Sequence, residues 1–174
     1  MDQGIAGLAG TALGGLIGVV GTLGAARLTG RDQKRTQHEH WRRQQRRDAY
    51  GQLLSQASEL IRMGSNALNA YADNESQTSD LAREFDEAVN RIDTAVSLVS
   101  LEGPPEAALA ALELAGALYS WTNGMAIALA AEQGDFVPLP GEAVPNLSDL
   151  MDNQTDAHEA SDAFITVCQR LLGA

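Results

Sequence analysis

A chain of 174 residues has room for one compact domain and short appendages. Its single cysteine, Cys168, excludes an intrachain disulfide, and an aromatic content of 5% leaves any core to Ala, Leu, Ile and Val. The net charge of −11 is unevenly spread: residues 27–47 hold eight of the twelve Lys and Arg against two acids, and residues 48–174 hold four against twenty. Two such parts face two environments.

From Gln3 to Ala26 there are 24 residues without a charge. A helix needs about 20 apolar residues to cross ~30 Å of hydrocarbon, and a single helix satisfies its own backbone there. The run predicts a transmembrane anchor over residues 1–28. The alternatives are a buried helix of a soluble protein and a secretory signal, which would begin with basic residues, whereas this chain begins Met1-Asp2-Gln3 and places its bases after the run. Basic flanks stay cytoplasmic. With Arg27, Arg31, Lys34 and Arg35 after the span and only Asp2 before it, the expected protein is single-pass in the cell membrane, N-terminus outside, C-terminal domain cytoplasmic.

Gly10, Gly14 and Gly18 form overlapping G-x-x-x-G units, and Gly7, Gly14 and Gly21 recur at every seventh position. Small residues let helix backbones approach closely inside a bilayer, so these five glycines are the expected face for homo-oligomer formation. The competing reading is that glycine is simply common in membrane helices.

Residues 29–47 predict a basic juxtamembrane helix. Arg27, Arg31, Lys34, Arg35, Arg42, Arg43, Arg46 and Arg47, with Trp41 at the interface, are the expected contact with anionic lipids. A straight helix would carry Arg47 about 30 Å from the span at 1.5 Å per residue, so the far arginines reach lipid only if the chain bends, with Gly30 as the hinge. A solvated helix face is the plain alternative. Nucleic acid is a third reading, which the acidic domain behind the helix opposes by repelling phosphates. His38 and His40 point about 200° apart on a helix and do not share a metal.

The acidic part, residues 48–174, predicts an antiparallel bundle of about four helices. The first helix spans about Asp32 to Ala72, with Tyr50, Leu53, Leu54, Ala57, Leu60, Ile61, Gly64, Ala67, Leu68 and Tyr71 on one stripe. After a polar loop, Ser79 is the expected N-cap of a second helix ending at Glu102-Gly103-Pro104-Pro105, with Leu81, Phe85, Ala88, Val89, Ile92, Val96 and Val99 inward. A third, from about Pro105 to Glu132, is apolar nearly all round, including Leu114, Leu118, Trp121 and Met125, which places it centrally; Leu109, Leu112, Ala115, Gly116, Tyr119, Asn123, Ile127 and Ala130 lie near one stripe. Residues 114–131 form an 18-residue uncharged run, short for a second span. A proline-marked loop is expected to lie across the bundle through Phe136, Val137 and Leu139. Ser148 is then the expected cap of a last helix that buries Leu150, Met151, Ala157, Ser161, Phe164, Ile165, Cys168, Leu171 and Leu172. No strand alternation competes, so the expected class is all-α: one transmembrane helix, then a helical bundle.

Chemistry-bearing patterns are sparse. Glu84-x-x-Glu87 and Glu159-x-x-Asp162 each share a helix face and would hold Mg²⁺ only if the pairs met. Acids are common throughout this domain, so solvated faces explain them as well. Cys168 on an apolar stripe is expected in the core. No catalytic residue, cofactor or metal is expected.

The stretch Gly24-Ala25-Ala26-Arg27-Leu28-Thr29-Gly30-Arg31, with Gln37-His38-Glu39-His40-Trp41-Arg42-Arg43-Gln44-Gln45-Arg46-Arg47-Asp48-Ala49-Tyr50, resembles small actinobacterial, Streptomyces-type membrane-anchored helical proteins. The resemblance covers about residues 10–54. It implies the anchor-plus-bundle layout and carries no activity. The expected function is a membrane-tethered interaction or scaffold protein with a protein partner the sequence does not name. A pore-forming, holin-like or toxin-like effector and a membrane-bound carboxylate-metal enzyme are the alternatives.

Overall fold

The computed structural model describes residues 41–138 and 143–173. Helical residues run from 41 to 72 (α1), and α2 (Thr78–Val89), α3 (Asp93–Glu102), α4 (Pro105–Gln133) and α5 (Leu147–Leu172) follow. No strand occurs among the described residues. The chain divides into two compact units, Met1–Arg43 and Gln44–Ala174. Arg46 is bonded within the second unit, to the Glu102 carbonyl.

Its centre is α4, against which α2, α3 and α5 all pack. Trp121, Leu114, Leu118 and Met125 of α4 are fully buried. So are Tyr50 and Leu53 of α1, Phe85 and Val89 of α2, Val99 of α3, and Leu150 and Phe164 of α5. Two edge-to-face aromatic pairs tie the helices together: Phe85 with Trp121 at 5.1 Å and Tyr50 with Phe164 at 6.0 Å between ring centroids. Such pairs add about 0.5–1.5 kcal/mol beyond the area they bury. The rest of the buried core is largely Ala, Leu, Ile and Val.

Two expectations about helix starts are corrected. The cap of α5 is Asn146, whose Oδ1 accepts the backbone N–H of Ser148 and Asp149 at 2.8 and 3.3 Å, while Asp149 returns a bond to the Asn146 N–H at 2.8 Å. This reciprocal box closes two donors that a helix start leaves open, and Ser148 falls inside the helix. Likewise α2 begins one residue before Ser79. Thr78 donates its hydroxyl to the Glu75 carbonyl at 2.6 Å, and Ser79 accepts from Gln133 at 3.1 Å instead of capping.

The expected second helix is two helices. At 90–92 the backbone tightens: Arg91 and Ile92 donate to the carbonyls of Ala88 and Val89, three residues back. The break keeps both halves on α4 and leaves Ile92 buried between them. On α4 the expected stripe divides: Ala115 is buried and Tyr119 packs partly against the core, while Leu109, Leu112, Gly116 and Asn123 face out. Leu109 and Leu112 are 61% and 55% exposed, because α2, α3 and α5 cover the Trp121 side. Met151 and Val137 are also exposed rather than inward, at 54% and 83%. Val137 follows Gly134, whose left-handed φ of 77° ends α4; Phe136 is half-buried, and Leu139 lies outside the described residues. Residues 114–131 lie within α4, and among the described residues no helix is long and apolar enough to cross a membrane.

Candidate functional site

Three regions of the second unit carry exposed or unusual groups: the end at which the chain enters, a groove between α1 and α2, and the acidic pairs. At the entry end, the Nε–H of Arg46 donates to the Glu102 carbonyl at 2.8 Å. This carbonyl is among the last of α3 and has no helical partner of its own, so Arg46 acts as a side-chain cap on a neighbouring helix. Beneath it Tyr50 is buried, and a Cβ at Gly103 would lie 3.0 Å from the tyrosine oxygen. Burial pushes the Tyr50 phenol up, the nearby Cys168 adds to this, and Arg46 opposes it. Across the same end, Arg170 of α5 pairs with Glu106 of α4 at 2.7 Å. Leu101, in the last turn of α3, is 80% exposed.

The groove has a volume of about 480 Å³. Leu60, Met63 and Ala88 give it an apolar floor, and Gln56, Glu59 and Arg91 its rim. A smaller depression of about 190 Å³ continues it along α1 to Asn66 and Glu84. Arg62 and Glu59 form a two-bond ion pair on the rim, 3.0 and 2.5 Å, which holds the Glu59 carboxyl below its ordinary range. The hydroxyl of Ser55 also lines the groove, and the apolar floor offers a place for an apolar side chain.

The acidic pairs are not brought together. Glu84 and Glu87 lie on α2 and Glu159 and Asp162 on α5, and these helices pack on α4 without packing on each other. Glu87 is instead held by Arg83 at 3.0 Å. Among the described residues no three His, Cys, Asp or Glu side chains gather where a metal ion could sit. Cys168 is buried as expected, and burial alone pushes its thiol up to about 11. The nucleophilic thiolate is therefore scarce at neutral pH.

Of the residues expected to form sites, Gly7, Gly10, Gly14, Gly18, Gly21, Arg27, Arg31, Lys34 and Arg35 lie outside the described residues. Trp41, Arg42, Arg43 and Arg47 are exposed, and Arg46 is half-buried with its Nε–H engaged. Leu101 was not among the expected site residues. Its signal was present: it sits about 200° around the helix from Val99, off the apolar stripe, immediately before the Gly-Pro-Pro break. The groove left no such signal, because Leu60 and Ala88 of its floor belong to ordinary core stripes.

No protein-family model, no curated protein and no solved structure matches the chain.

Proposed function

We propose that the protein is a membrane-tethered helical scaffold: a single N-terminal span with its N-terminus outside, a basic juxtamembrane segment on anionic lipid, and an acidic bundle held on the cytoplasmic side for a protein partner. The supporting observation is the separation of charge. An uncharged run at 3–26 is followed by a balance of +6 over 27–47 and of −16 over 48–174. Only the first can enter hydrocarbon, the second suits an anionic surface, and the third is repelled by one. The bundle adds support of a different kind. Its described core consists of packed side chains, and its surface carries the groove between α1 and α2, which suits an interaction module.

The test is fractionation of cells expressing the full chain. The protein should stay in the pellet after alkaline carbonate extraction. Protease added to right-side-out cells should spare the bundle, and protease added to inverted vesicles should digest it. Recovery in the soluble fraction would overturn the proposal.

A further inference from the structure

The two ends of the bundle differ in charge. The Arg46–Glu102 bond places the start of α1 beside the end of α3, and the Arg170–Glu106 pair places the end of α5 beside the start of α4. At this end Arg46, Arg47 and Arg170 balance Asp48, Glu102 and Glu106. At the opposite end, Tyr71 of α1 donates to Glu132 of α4 at 2.7 Å, and Asp73, Glu75, Asp135 and Asp149 lie in the flanking turns and helix starts. The segments that build that end, 63–82 and 126–157, contain no Lys or Arg. A negatively charged plane therefore repels the second end and admits the first.

The ends also differ in what precedes them. Residues 1–43 join the bundle at the charge-balanced end, through Gln44, and they include the uncharged run. At that end Leu101 stands 80% exposed, and Leu109 follows in the second turn of α4 at 61%. Leu101 is too exposed to contribute to the core, and it lies in the turn that ends at the carbonyl Arg46 caps. An apolar side chain with arginine beside it is the arrangement that seats a surface element at the headgroup–acyl boundary. The 17 residues from Arg27 to Arg43 are long enough for this end to reach the surface at which the chain leaves the lipid.

We infer that the charge-balanced end of the bundle docks on the anionic bilayer surface, with Leu101 entering the boundary region. The inference rests on the membrane reading above and extends it. Docking sets the helices upright, turns the acidic end toward the cytoplasm, and leaves the α1–α2 groove open along the side.

The full chain carrying Cys168→Ala and Leu101→Cys is labelled with an environment-sensitive nitrobenzoxadiazole dye. It is reconstituted into vesicles of phosphatidylcholine with about one-quarter phosphatidylserine. Val137→Cys in the same background is the reference, an exposed position beyond the acidic end. The dye at 101 should shift to the blue and lose about half its intensity to doxyl-labelled phospholipid, while the dye at 137 keeps its aqueous spectrum. Aqueous spectra at both positions in protein that floats with the vesicles would overturn docking and leave the anchor reading standing. Protein that does not float would overturn the anchor reading, and docking with it. A blue shift without doxyl quenching, but with self-quenching that grows with the labelled fraction, would place a second copy on Leu101 and overturn the proposal. The same shift in phosphatidylcholine alone would overturn its charge argument.

Discussion

Gly64 of α1 lies so close to Trp121 of α4 that a Cβ there would stand 2.7 Å from two atoms of the indole ring, and as near to Phe85. The glycine is what lets the Phe85–Trp121 pair fill the centre of the bundle. Both rings are fully buried and rigid, so neither can move aside cheaply.

Gly64→Ala is therefore expected to destabilise the protein. Overpacking costs about 1–3 kcal/mol, and the better helix propensity of alanine returns at most about 1. Gly116 is the control. It is also inside a helix, but a Cβ there meets nothing within 4 Å. Gly116→Ala should stabilise by about 0.5–1 kcal/mol. Urea denaturation of the two variants checks both signs. A Gly64→Ala protein as stable as the parent would mean that the close approach does not exist.

Asn146→Ala should remove the reciprocal cap of α5 and cost about 1 kcal/mol, whereas Ser148→Ala, inside the helix, should stay within about 0.5. A loss at Ser148 with none at Asn146, read from denaturation midpoints, would return the cap to Ser148.

These positions show where the sequence was legible. The α1 stripe from Tyr50 to Leu68 was, because its apolar spacing of three and four is held to α2, α4 and α5 on one continuous side. The break at 90–92 was not. It contains neither Gly nor Pro, and its apolar spacing runs on unbroken through Ile92, so only packing on α4 decides it. Asn146 and Ser148 are both residue types that cap well, and local preference does not choose between them. On α4 the periodicity is equally apolar in all directions, so sequence marks the helix as central but does not say that Leu109 and Leu112 take the open side. Arg46 looked like one more member of a basic run, and only the fold supplies the carbonyl of Glu102 that singles it out.

Stability should fall at alkaline pH. Burial raises the Cys168 thiol from about 9 to about 11 in the folded protein. The unfolded chain releases this proton first, so the stabilisation is complete below about 9 and lost as pH rises to about 11. Two units correspond to at most about 2–3 kcal/mol. Tyr71, raised to about 12 by burial and by its bond to Glu132, adds a further loss above its ordinary range near 10. Denaturation midpoints of Cys168→Ala should show a shallower fall than the parent between pH 9 and 11, with the loss above that range kept. A parallel fall in both proteins would remove Cys168 as the cause.

The self-association proposed for the glycine stripe makes the last prediction. In a bilayer no hydrophobic force drives helices together, so association depends on close backbone approach. Gly14 belongs to both the four-residue and the seven-residue recurrences, so a leucine there obstructs the stripe at its centre while leaving the run apolar enough to insert. Gly14→Leu should lower the mass of the detergent-extracted oligomer measured by light scattering, with membrane recovery unchanged. Gly15→Leu, one position round the helix, should leave the mass as it was. An unchanged mass in Gly14→Leu would rule the stripe out as the contact. A lower mass in both variants would show that association depends on small residues generally and not on the one stripe.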